Sequence, residues 1–169
     1  MNNAPRTQAT PTTRIQRLPD PSGLASFRLF QAARLWQKCL GSALKSLGLT
    51  PTQFGLLFHI AWLLQGGREP VSQVMLAHAT HHDVMTVSQV LRALERKRLV
   101  RRLSHPSDPR ANATSLTATG AKTTARAFQL ALRAKNEFFG TLGSEEPELR
   151  RMLDTLISSR LETPAGSVR

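Results

Sequence analysis

Hydrophobic positions recur with a helical period along most of this chain. Between residues 22 and 47 the stripe Leu29, Ala33, Trp36, Leu40, Leu44 and Leu47 predicts one long helix, ended by Gly48. Leu24, Phe27, Phe30 and Leu35 widen that stripe beyond what the core of one small domain requires, and the surplus predicts a subunit interface. Thr50-Pro51, a cap followed by a first-turn proline, opens a second helix. It carries Phe54, Leu57, Phe58, Ala61 and Leu64 to about Gln65 and stops at Gly66-Gly67. Arg68 to Val71 reads as a short extended piece able to pair with a hairpin further on. Ser72 caps a third helix, Gln73 to about Ala79, expected to bury Val74, Leu76 and Ala77. Thr80-His81-His82 forms a turn. Asp83 then caps a fourth helix, with Val84, Val87, Val90, Leu91 and Leu94 on one face. Its other face carries Met85, Gln89, Arg92 and Arg96, flanked by Thr86 and Ser88.

The period changes at Leu99. Leu99 to Ser104 is compatible with a strand, and His105-Pro106-Ser107-Asp108-Pro109 is turn chemistry, with two prolines unsuited to a central strand. Ala111 to Leu116 alternates as a returning strand does, with Arg110 at the hairpin tip. From Thr117 to about Phe139 helical spacing returns through Ala118, Ala121, Ala125, Phe128, Leu132, Lys135 and Phe139. Gly140 to Gly143 breaks it, Ser144-Glu145-Glu146-Pro147 starts a last helix, and Leu149, Met152, Leu153, Leu156 and Ile157 give that helix its apolar side. The predicted fold is mainly α with a small β-wing. A winged helix-turn-helix spans about 50–117, and dimerisation helices at about 22–47 and 118–161 complete a single domain, 22–161. Residues 1–21, polar and rich in Pro and Thr, are expected to form a disordered arm, and 162–169 a frayed tail.

Charge narrows the function. The chain has 169 residues, a formal net charge of +12 and 40% hydrophobic residues, enough for a core. Arg92, Arg96, Lys97, Arg98, Arg101, Arg102 and Arg110 fall in one segment opposed only by Glu95 and Asp108, which favours a polyanionic partner over mere solvation. Double-stranded DNA is the partner expected. Thr86, Ser88, Gln89 and Arg92 suit base edges in the major groove. Arg96, Arg101 and Arg102 suit phosphates. A non-specific architectural DNA-binding protein is the alternative. Cys39 stands alone, so no intramolecular disulfide forms. No signal peptide and no run of membrane-spanning length is read, so a soluble, cytoplasmic protein is expected. No nucleophile–base pair, carboxylate pair or phosphate loop stands out, so the chain does not read as an enzyme, and no cofactor is expected. His78 and His82, four residues apart, have the spacing for zinc or nickel, but no cysteine is near and the chain must turn there; a polar turn is the simpler reading, so no metal is assigned. Trp36, Phe58, His59 and Trp62 are candidates for a pocket holding a small aromatic effector, although core packing explains the same residues.

At Leu49-Thr50-Pro51-Thr52-Gln53-Phe54, Thr86-Val87-Ser88, Leu94-Glu95-Arg96-Lys97, Leu99-Val100-Arg101-Arg102, Asp108-Pro109-Arg110-Ala111 and Leu116-Thr117 with Gly120, the chain resembles the MarR family of transcriptional regulators. The likeness runs from about Leu24 to Ile157. It implies a homodimeric regulator, expected here to be a ligand-responsive repressor on a pseudo-palindromic operator. By position Arg110 resembles the family's wing arginine, which enters the minor groove, and Asp108 the acid that orients it. Some relatives sense oxidants through a cysteine in the region of Cys39; a small buried hydrophobe is the commoner role. The sequence departs from the pattern at Arg98, where the family usually has Gly, at Gln89, where many members carry Arg, and at His105-Pro106.

Overall fold

The computed structural model describes residues 19–68, 70–104 and 112–161. Residues 1–18 of the expected N-terminal arm, the C-terminal tail and the hairpin tip with Asp108 and Arg110 lie outside these residues, while Asp20 and Pro21, expected in the arm, belong to an ordered turn. The order is α1 (Ala25–Leu44), α2 (Pro51–Gln65), β1 (Val71–Ser72), α3 (Gln73–Thr80), α4 (Val84–Arg96), β2 (Val100–Ser104), β3 (Asn112–Leu116), α5 (Ala118–Phe139) and α6 (Glu146–Leu161). Among the described residues the strands form one antiparallel sheet, β1-β3-β2. Val100 pairs with Leu116 and Ser104 with Asn112, while Val71 pairs with Thr114. The short extended piece before α3 does join the hairpin.

Contacts divide the chain within α1, into a unit ending at Ala33 and a unit beginning at Arg34. In the first, the Asp20 carboxylate accepts the backbone N–H and hydroxyl of Ser22 and caps a 3₁₀ turn, Pro21–Gly23. The Arg28 Nε donates to the Ser22 carbonyl at 3.0 Å. Phe27, Leu29 and Phe30 are exposed.

In the second unit α2 is central. It touches α3, α4, α5, β1 and β3. Leu56, Leu57, Ile60 and Leu63 are buried around much of its circumference, as expected of a helix surrounded by others. Leu44, Leu76, Val87, Leu91 and Leu94 complete the best-buried core, each large side chain contributing about 1.5–3 kcal/mol. The start of α2 is a full capping box: the Thr50 hydroxyl accepts the Gln53 N–H, and the Gln53 side chain accepts the Thr50 N–H.

Four helical segments end alike. In each, a residue at positive φ lets two N–H groups fold back onto the last carbonyls. The residues are Gly48, Gly67, His81 and Arg98. At the last of these the Arg98 N–H reaches the Glu95 carbonyl at 2.8 Å and the Leu99 N–H the Leu94 carbonyl at 3.0 Å.

One burial expectation needs correction, and apolar residues on two other helices are exposed. Val74 is exposed: it lies two residues from Leu76, about 200° around the helix, so the two cannot share a face. Val84 is exposed where α4 opens beside the His81 turn. On α5 the stripe through Ala118, Ala121, Ala125, Phe128 and Leu132 faces outward, and Gly120, Thr124, Ala127, Ala131 and Ala134 face the core. Close approach decides this. A Cβ at Gly120 would lie 1.8 Å from the Leu99 carbonyl oxygen. The Thr124 hydroxyl returns its proton to the Gly120 carbonyl at 2.8 Å, leaving no demand on the core. No single helix among the described residues is long and apolar enough to cross a membrane.

Candidate nucleic-acid interface

The second helix of the helix-turn-helix is α4. Its N-terminus is fixed by Asp83, whose carboxylate accepts the Thr86 hydroxyl and the Thr86 N–H, both at 2.7 Å. Those two bonds, the hydroxyl's first, hold the Asp83 carboxyl below the usual carboxylate range. Val87, Leu91 and Leu94 anchor the inner side. Met85, Gln89, Arg92 and Arg96, spaced by four, three and four residues, form one exposed ridge, roughly 16 Å long at 1.5 Å per residue. Ser88 flanks it, half-buried. Thr86 is also half-buried, and its proton is committed to Asp83, so toward a ligand it offers only lone pairs.

The basic residues after α4 diverge. Arg101 is exposed. Arg102 alternates with it and turns to the side of buried Val100. Its Nε lies 3.4 Å from Glu95 Oε2, and its Nη2 is buried without a hydrogen-bond partner among the described residues. Thr114, directly across on β3, likewise buries an unpartnered hydroxyl. Arg102 therefore does not join Arg92, Arg96 and Arg101 on one surface. Sequence reasoning counted its charge and missed its alternation. Lys97 also leaves the ridge and bonds to the start of α2.

The four pocket candidates separate too. Phe58 and Trp62 line a cleft of about 640 Å³ between α2, β3 and α5, with Leu116, Thr124 and Phe128. Phe58 and Phe128 stack, with ring centroids 5.5 Å apart. Trp36 instead packs against Phe138 and Phe139, at 5.6 and 5.4 Å. His59 points back along α2, its Nδ1 2.7 Å from the Gly55 carbonyl oxygen. Neither lines the cleft: Trp36 stands on α1, and His59 lies about 100° around α2 from Phe58. Phe128 is the wall the sequence reading missed; its place on the large apolar stripe of α5 was the available signal.

His78, His81, His82 and Asp83 border one open depression at the turn. Among the described residues no three metal-ligating side chains converge. His82 Nδ1 is 2.8 Å from the Thr80 carbonyl oxygen. Cys39 is half-buried, its Sγ 4.0 Å from the Ala134 carbonyl oxygen, in a groove with Lys38 and Arg133.

Comparisons with known proteins agree with this layout. A family model described as MarR family matches residues 47–111. The uncharacterized HTH-type transcriptional regulator YdcH of Bacillus subtilis (strain 168) is 32% identical over 136 residues, covering 80% of this chain and 92% of YdcH. Among solved structures, the transcriptional repressor CouR bound to a 23-mer DNA duplex has a TM-score of 0.70 at 29% identity, over 80% of this chain and 94% of that one. The S. aureus MepR–DNA complex has a TM-score of 0.72 at 23% identity, over 80% and 98%, a likeness of fold alone. With its winged helix-turn-helix, its capped second helix and these relatives, the chain belongs to the MarR family of transcriptional regulators.

Proposed function

We propose that this protein binds double-stranded DNA as a homodimer and recognises a pseudo-palindromic operator as a ligand-responsive repressor. The observation that carries this is the ridge of α4: a helix buried firmly on one side presents Gln89, Arg92 and Arg96 on the other, in a row that fits a major groove about 12 Å wide. Gln89 and Arg92 read bases, with Ser88 and the lone pairs of Thr86 assisting. Arg96 and Arg101 neutralise phosphates. Arg102 serves from behind, through Glu95. Arg110, oriented by Asp108, is assigned to the minor groove by resemblance. The DNA complex of CouR supports the mode of binding. The exposed apolar residues of α6, Met152, Leu156 and Ile157, and Phe27 and Phe30 of α1 are suited to a two-fold partner, which would set two recognition helices about 34 Å apart. The cleft of Phe58, Trp62 and Phe128 is offered as the effector site, since a ligand there that favours one helix spacing shifts the population.

Selection from a random duplex pool tests the reading. A pseudo-palindrome preferred over scrambled DNA by ~10³-fold or more is expected. Gln89→Ala should then relax base preference at one position per half-site by ~1–3 kcal/mol. Salt-sensitive binding with no preferred sequence would instead establish an architectural protein.

A further inference from the structure

The cations that follow α4 do not act as one patch, and Lys97 has the most specific placement. Its ammonium donates to the Gly48 carbonyl oxygen and, at 2.9 Å, to Gln53 Oε1. Gly48 closes the 3₁₀ turn Lys45–Leu47 that finishes the α1 segment, where unpaired carbonyls carry partial negative charge. Gln53 Oε1 also accepts the Thr50 N–H at 3.3 Å, the bond that closes the capping box of α2. Lys97 is itself the residue that ends α4. One ammonium thus joins three helix ends: the finish of the α1 segment, the start of α2 and the finish of α4.

We propose that Lys97 is a positioning residue for DNA recognition, latching the C-terminal end of the recognition helix to the corner between α1 and α2 instead of contacting phosphate. The geometry favours the latch over a phosphate contact because two of three ammonium protons are already directed at fixed oxygens. Both oxygens are more than forty residues away in sequence, so the bonds tie elements that the chain does not join locally. A second consequence concerns the cleft. Its wall, Phe58 and Trp62, stands on α2. A tilt of α2 draws Gln53 with it, and Lys97 carries that displacement to α4. Arg92 and Arg96 then move together, as a ridge on a held helix.

The DNA part of this rests on the DNA-binding reading; the latch does not, and the experiment separates them. Amide hydrogen exchange is followed on the full free chain as wild type, Lys97→Met and Lys97→Arg. The latch predicts exchange at the Thr50, Arg98 and Leu99 amides faster by roughly tenfold in Lys97→Met, a 1.4 kcal/mol change in local opening, and largely restored in Lys97→Arg. The selected duplex is then titrated across salt concentrations. Lys97→Met should weaken binding several-fold with the slope of log affinity against log salt unchanged, whereas Arg96→Met should reduce that slope by ~1. Unchanged exchange overturns the latch, and unchanged exchange with a slope reduced by ~1 makes Lys97 a phosphate contact. A wild-type chain that binds no duplex overturns the DNA-binding reading, and exchange alone then decides the latch.

Discussion

Helices α4 and α5 look alike in sequence and behave oppositely. Both show large apolar residues at helical spacing. On α4 that stripe goes inside, with Val87, Leu91 and Leu94 fully buried. On α5 the large residues Phe128 and Leu132 are about 40% exposed, and the buried line is Gly120, Thr124, Ala127, Ala131 and Ala134. Spacing alone therefore says that a face is apolar, not which neighbour will cover it. Helix α4 packs with branched side chains and leaves its polar ridge open. Helix α5 packs with small ones, comes close to its neighbours, and leaves an apolar face exposed, part of it lining the cleft.

The contrast can be broken most severely at two buried points. Leu91→Ala should cost about 3 kcal/mol in unfolding free energy, read by denaturant titration, whereas Leu132→Ala should cost well under 1 kcal/mol in the isolated subunit. If Leu132→Ala loses stability mainly on dilution, the outer face of α5 is covered by a second copy. Gly120→Ala should cost about 3 kcal/mol, because the added carbon meets the Leu99 backbone instead of a movable side chain. A loss below about 1 kcal/mol would mean that α5 can back away.

The next effect is smaller and of opposite sign. Arg98 holds φ 56 at the end of α4, a conformation that costs a residue with a Cβ and costs Gly little. Arg98→Gly should raise stability by roughly 0.5–1 kcal/mol in the same titration. The smallest effect is a pH dependence at the other end of α4. The bonds from Thr86 lower the Asp83 pKa in the folded state, so the stability they supply is present above the unfolded value and is lost as pH falls through the folded one. In Asp83→Asn the amide oxygen still accepts the Thr86 N–H, while the charge and the acceptor of the Thr86 hydroxyl are gone. The gap in unfolding midpoint between wild type and this variant should shrink as pH drops below about 4, and a constant gap would remove Asp83 as its source.

Much of the fold is legible wherever a local rule decides. Thr50, Pro51 and Gln53 announce a helix start because capping is satisfied within four residues. Gly48 and Gly67 mark helix ends, since positive φ suits them. The ridge of Gln89, Arg92 and Arg96 follows from the same periodicity that buries Leu91. What stays hidden depends on non-local approach. Nothing adjacent to Gly120 says that the Leu99 carbonyl will come within a methyl's width. Arg101 and Arg102 carry one charge each, and only the strand's alternation, once β3 is paired, sends Arg102 to Glu95. Trp36 and Trp62 look equivalent as pocket walls until α5 brings Phe128 to one and Phe138 to the other.

The close approach at Gly120 also has a mechanical meaning. The Leu99 carbonyl accepts the Thr117 N–H at 3.1 Å and lies against the Gly120 backbone, so α5 is pinned near its first turn. From there the helix runs 22 residues, about 33 Å at 1.5 Å per residue. It is a lever with its fulcrum at one end. A rotation of about 5° at the pin swings the Phe139 end through about 3 Å, while the residues beside Leu99 hardly translate. The long arm would turn a small angular change at the wing into a large excursion at the far end, worked against the packing of Ala127, Ala131 and Ala134. Run backwards, a broad displacement of that end reaches the wing as a small, finely divided angle.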